Sequence, residues 1–287
     1  MAVNPRELIS KAGDLASLPE VVARVCSLIG DPRTSASDIG QVIAQDPAMT
    51  TRLLRVVNSP FYGFPSRIDT VSRAVTVVGT GELLSLVLAA SVVRQFRDIP
   101  PELIDMQAFW RHSVYCAVVA RVLAARRRET DIERYFVAGL IHDVGSLILY
   151  KTVPRLAAEA LVRARDTGED LPSAERTVMG CDHADVGAEL MNVWRMPPAL
   201  TEVVAYHHAP ERAVEYPREV ATVHLADIIA GALGATGNGS EHVPAMVPDA
   251  WAAAGFPVAE LDSVLSHADD QFNVALELIM PEALVVA

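Results

Sequence analysis

Ala138-Gly139-Leu140-Ile141-His142-Asp143-Val144-Gly145 sets a histidine and an aspartate side by side inside an apolar run. The small and aliphatic neighbours predict a tightly packed helical segment, where an uncompensated Asp143 carboxylate is costly to bury. A divalent cation would neutralise it. One His-Asp pair is weak evidence, since a lone helical histidine is more often a hydrogen-bonded core or surface residue than a ligand. The signal strengthens when the reading moves outward to His112, to His183 at a predicted helix start, to the adjacent His207 and His208, and to Asp227 in Leu225-Ala226-Asp227. Five of the eight histidines fall in this ordered series.

Helices project ligands inward at fixed height and angle, so side chains distant in sequence can converge on one or two ions. The candidate metal ligands are therefore His112, His142, Asp143, His183, His207, His208 and Asp227. Adjacent helical residues point about 100° apart, so His207 and His208 are expected to serve two ions, or one an ion and the other a ligand. Mixed imidazole and carboxylate donors suit iron, manganese, zinc or nickel. A metal-free network of hydrogen-bonded His–Asp pairs is the alternative.

The rest of the chain reads as all-α, with no alternating run long enough for a sheet. Ser17 and Glu20 form a capping-box start for a helix that Gly30 stops. A second helix begins near Ser35, and Asp46-Pro47 opens a third, which ends at Asn58-Ser59-Pro60. Helices from about Thr70 to Val78 and Glu82 to Phe96 follow, separated by Gly79-Thr80-Gly81. The proline pair Pro100-Pro101 predicts a join near residue 100, between an N-terminal helical lobe (1–100) and a helical lobe holding the histidines (101–287). The second lobe reads as helices near 103–126, 131–150, 154–166, 173–179, 183–194, 198–207 and 217–232, a Gly-rich connector from Gly231 to Gly239, and a terminal helix around 258–279.

Composition narrows the function. At 287 residues and 51% apolar, the chain has material for a large core. Its net charge of −12 opposes a phosphate backbone, which argues against nucleic-acid binding. The helix pair between Ser35 and Asn58 resembles a DNA-reading motif, yet it offers only Arg52 and Arg55, and its apolar face predicts packing against neighbours. The basic run Arg126-Arg127-Arg128 sits at a helix end, where cations favour the dipole. The apolar stretch Leu83 to Val93 is too short to span a bilayer, and the N-terminus lacks a secretory signal, so the expectation is a cytoplasmic protein without a membrane partner. Cys26, Cys116 and Cys181 form no CxxC pair and are expected to be reduced and buried. Walker, GxSxG and dinucleotide motifs are absent. Trp110 and Trp194 are expected in the core, and His224, His242 and His267 carry no metal reading.

Several of these segments together resemble the HDOD domains, a branch of the HD superfamily found in bacterial signalling proteins. The likeness rests on Leu18-Pro19, Asp46-Pro47-Ala48-Met49-Thr50, Arg52 through Ser59, and Ala74 to Gly79. It continues through Phe109-Trp110-Arg111-His112-Ser113, Ala138 through Gly145, His183 through Ala188, Trp194 with Pro197, and His207-His208-Ala209-Pro210. The resemblance implies an all-α regulatory or scaffolding domain, for which catalysis is generally not expected and which relays a signal by contacting a protein partner. The rival implication is a metal-dependent phosphohydrolase acting on a nucleotide or cyclic dinucleotide, because all seven ligand positions of the related HD-GYP phosphodiesterases have counterparts here. Against it, Ser146 stands where those enzymes carry a lysine, and Glu215-Tyr216-Pro217 stands in place of their Gly-Tyr-Pro loop.

Overall fold

The computed structural model describes residues 3–13, 20–29, 33–60, 62–96, 99, 103–234 and 243–280. Among these the chain is helical and contains no strand. The helices are α1 (Pro5–Ala12), α2 (Glu20–Ile29), α3 (Ala36–Ala44), α4 (Pro47–Val57), α5 (Val71–Val78), α6 (Thr80–Gln95), α7 (Met106–Arg126), α8 (Ile132–Ile141), α9 (Val144–Thr152), α10 (Pro154–Thr167), α11 (Leu171–Met179), α12 (His183–Val193), α13 (Pro198–Tyr206), α14 (Pro217–Ala232), α15 (Ala250–Ala254) and α16 (Leu261–Ile279).

Short polar side chains set the starts. Ser35 and Asp38 close a capping box on α3, Asp46 accepts from the Met49 amide on α4, and Asp105 accepts from Gln107 and Ala108 on α7. Asp182 and Asp185 form a second capping box, which fixes where α12 begins and thus where His183 stands. The Ser17–Glu20 box, the Gly30 stop, most of the Asp98–Pro101 junction and much of the Gly-rich connector lie outside the described residues.

Two expectations need correction, and one helix was not expected. The segment 131–150 is two helices, α8 and α9, because the chain turns at His142-Asp143. Only Gly79, not Gly79-Thr80-Gly81, separates α5 from α6. Residues 5–12, unread in the sequence, form α1, capped by the Asn4 side chain and anchored by buried Leu8 and Ile9. This helix packs on α9 and α12.

α7 runs through the middle of the fold, packed by α8, α14 and α16. Its face is buried from Phe109 to Ala124. One large apolar core extends from Leu8 to Ile279 and takes residues from α2–α6 as well as from α7–α14 and α16. Trp110 and Trp194 lie within it. The helix pair α3–α4 turns its apolar residues Ile39, Ile43, Leu53 and Val57 into this core. No helix among the described residues is long and apolar enough to cross a membrane.

Candidate metal centre

Two close backbone contacts bring the site together. A Cβ on Gly139 would lie 2.8 Å from the Ala117 Cα, so α8 can approach α7 only with glycine there. At Gly145 a Cβ would fall 2.0 Å from the His183 carbonyl oxygen and 2.6 Å from the Gly187 nitrogen, so the start of α9 touches the first turns of α12. His142-Asp143 is thereby set against His112 on one side and His183 on the other.

Asp143 occupies the N-cap position of α9, where an aspartate ordinarily accepts from the first-turn amides. Its carboxylate makes no such bond and turns into the pocket. There Oδ1 lies 3.2 Å from His183 Nε2 and 3.5 Å from His207 Nε2, while Oδ2 lies 3.4 Å from His142 Nε2 and 4.0 Å from His112 Nε2. Asp227, from α14, closes the opposite side at 3.1 Å from His112 Nε2, 3.7 Å from His142 Nε2 and 3.9 Å from His208 Nδ1. All seven side chains anticipated from the sequence thus meet in one pocket.

The imidazoles are oriented from behind. His142 Nδ1 lies 2.7 Å from the Gly139 carbonyl and His207 Nδ1 lies 3.0 Å from that of Val204. A carbonyl can only accept, so both Nδ1 atoms carry the hydrogen and both Nε2 atoms face the pocket. His183 is held by Glu175 of α11, whose Oε2 accepts from the His183 Nδ1–H at 2.7 Å and from its backbone N–H at 2.9 Å. Glu175 is only 2% exposed. His224, given no role in the sequence reading, is buried and donates from Nδ1 to the His207 carbonyl at 2.7 Å while Nε2 accepts from the Val247 amide. Neither residue stood out in sequence: an acid eight positions before a histidine has no helical periodicity to mark it once a turn intervenes.

His207 and His208, expected to serve two ions or one an ion and the other a ligand, stand close together. Both fall in one donor group with Asp143 and His183, and a second group comprises His112, His142 and Asp143; within each, one ligand atom per residue lies within 4.8 Å of the others. His207 is the C-cap of α13 and His208 lies in the turn beyond it. Leaving the helix relaxes the 100° divergence, and the two rings sit with centroids 4.0 Å apart.

The donors fit a cation. Both Asp143 oxygens, His207 Nε2 and His208 Nδ1 are buried without a hydrogen-bond partner. The Asp143 contacts of 3.2–3.5 Å are also longer than the ~2.7–2.9 Å of a charged N–H···O bond. Burial pushes the Asp143 and Asp227 carboxyls up, but the facing imidazoles outweigh it and hold both well below the usual carboxylate range. Burial pushes His142 and His183 down, yet Asp143 beside the first and Glu175 beside the second raise them well above an ordinary imidazole. Burial lowers His208, helped by the charges of His207 and His183.

Ser146 is fully buried beside the site. The Glu215-Tyr216-Pro217 loop is occupied from within: Glu202 takes the amides of Val214 at 2.6 Å, Glu215 at 3.1 Å and Tyr216 at 2.5 Å. His267 is exposed, as expected, and His242 lies outside the described residues. Cys116 and Cys181 are free and buried.

Residues 15–210 match the model of the HDOD domain. The chain belongs to the HDOD family. A solved HDOD domain protein of unknown function from Geobacter sulfurreducens superposes with a TM-score of 0.76 at 24% identity, covering 96% of this chain and 97% of that one. A Shewanella amazonensis structure, provisionally named a phosphohydrolase, gives a TM-score of 0.73 at 23% identity over 95% and 96% of the two chains. An uncharacterised Treponema pallidum protein is 26% identical over 224 residues. That match takes in 77% of this HDOD chain but spans only 43% of the Treponema protein.

Proposed function

We propose that this HDOD protein is a regulatory binding module whose seven-residue His/Asp site holds a divalent metal for structure or sensing rather than for turnover. The observation that carries this reading is closure. The side chains of His142, His183 and His207 are 0% exposed, Asp143 1%, His112 4% and Asp227 5%, and His208 is the most open at 12%. Such burial leaves little room for a substrate beside the donors, whereas a catalytic metal needs a coordination position open to one. These residues would hold a cation that would neutralise the buried carboxylates and supply the Lewis acidity to polarise a phosphoryl oxygen. The protein residues do the rest: the Gly139 and Val204 carbonyls and Glu175 fix the rings, and Asp143 joins the two donor groups.

Two further features support binding over hydrolysis. Ser146 brings no positive charge to a scissile phosphate, and Glu202 fills the amides of residues 214–216 that would otherwise be free for an anion. In this reading the output is contact with a protein partner in a signalling pathway. The metal is iron, manganese, zinc or nickel, as the donor chemistry allows.

Elemental analysis of protein purified without chelator tests the site, with His142→Ala as the control; bound metal that the substitution abolishes is expected. A hydrolysis screen over cyclic dinucleotides and nucleotides tests the role. Turnover by the metal-loaded protein that His142→Ala removes would replace this reading with a metal-dependent phosphohydrolase, the second reading favoured by the complete donor set and by the provisional name of the Shewanella relative.

A further inference from the structure

A second cleft, of about 1130 Å³, opens between α4, the loop from Asn58 to Asp69, and α16. That is at the upper end of small-molecule sites. It belongs to neither donor group of the metal centre. Its frame is fixed: the Asn58 side-chain amide donates to the Leu54 and Ile68 carbonyls and its oxygen accepts from the Ile68 amide, all at 2.7 Å. The loop is thus tied to α4 before any ligand arrives, which lowers the ordering cost of binding.

Two arginines and two carboxylates share the lining of this cleft. Between Thr50 and Val78 stand four arginines, Arg52, Arg55, Arg67 and Arg73, and one acid, Asp69, in a chain whose net charge is −12. Arg55 and Arg67 both line the cleft, are exposed, and among the described residues make no ion pair or hydrogen bond. A guanidinium offers paired donors matched to phosphate. The lining mixes polar side chains with Leu54, Val274 and the half-buried Phe64, whose ring stacks on Tyr62 at 5.9 Å and 18°. Asp69 and Glu277 complete the lining.

We infer that this cleft binds a nucleotide, with its phosphates on Arg55 and Arg67 and its base against Phe64. The class follows from the mixture. Asp69 and Glu277 can accept hydrogen bonds from ribose hydroxyls and exocyclic amines, and the aromatic ring gives a base a stacking face.

Isothermal titration of ATP and GTP into the full chain, in EDTA so that the metal centre contributes nothing, provides the test. Saturable binding of at least one is expected, with the parent nucleoside and tripolyphosphate each about tenfold weaker or more. Arg55→Ala/Arg67→Ala should weaken it by roughly tenfold or more without moving the unfolding midpoint, since neither side chain has a partner to lose. Glu277→Gln, which removes an opposing charge, should tighten it by about two- to threefold. The inference is overturned by no saturable binding of either nucleotide up to ~1 mM, by equal binding in the double variant, or by capture of an acidic peptide with none of the nucleotides.

Discussion

The His183 ring is held by an acid from another helix, and that bond fixes which nitrogen faces the pocket. Glu175→Gln keeps the volume but removes the charge that the Nδ1–H donates to, so it should lower metal affinity by about ten- to a hundredfold in a chelator competition while leaving the helical circular dichroism intact. Unchanged affinity would reduce Glu175 to a packing residue. The pH dependence has a definite sign. His142 and His183 sit well above the ordinary 6.5 in the metal-free pocket, so they keep protons that a metal must displace. Metal binding should release protons and strengthen as pH rises through and beyond that value, and an affinity flat from about pH 6 to pH 9 would contradict it. Asp143 and Asp227 act in the opposite direction on folding. Their carboxyls are held below the ordinary 3.8, so the stability they give the metal-free protein is complete above that value and is lost as pH falls past it. Acid melts of chelated protein, with the unfolding midpoint dropping below about pH 4, would show this.

At the scale of helices, what the sequence made legible followed from capping and periodicity. Ser35 and Asp46 announce α3 and α4 because a short side chain before an apolar period has a local physical job. The break at His142-Asp143 was not legible, because apolar residues continue on both sides and the turn is imposed by tertiary contact: Gly139 against α7 and Gly145 against α12. The shared pocket of His207 and His208 was hidden for a related reason, since the spacing rule for adjacent residues holds only inside a helix and the pair straddles the end of α13. Gly145 makes this argument testable. An alanine there sets its Cβ 2.0 Å from the His183 carbonyl, backbone that cannot yield cheaply, so Gly145→Ala should cost about 1–3 kcal/mol and lower the melting temperature by several degrees. It should also weaken metal binding by pushing α12 and His183 away. A melting temperature within about one degree of the parent protein would show that α9 and α12 are not held in contact there.

Over the whole molecule, residues on both sides of position 100 share one large apolar core. Buried residues from Leu8 to Ile279 form one cluster, α6 packs on α8, and α1 lies against α9 and α12, with the Val3 amide donating to the Met179 carbonyl at 2.7 Å. The C-terminal α16 packs on α7, where Asp269 accepts from the Tyr115 hydroxyl at 2.8 Å, and reaches α4 at the second cleft. Separate domains bury their own cores and meet across a modest interface, so a shared core predicts that each half needs the other. Removing residues 1–102 would uncover the faces of α8, α9 and α12 that α6 and α1 cover. The isolated 103–287 fragment should therefore melt without a cooperative transition, bind a dye for exposed apolar surface, and lose the metal that the full chain retains. Supplying residues 1–102 in trans should restore the transition in part. A fragment that unfolds cooperatively by itself and still holds its metal would establish the second lobe as an independent domain, and the first as an appendage free to move on it.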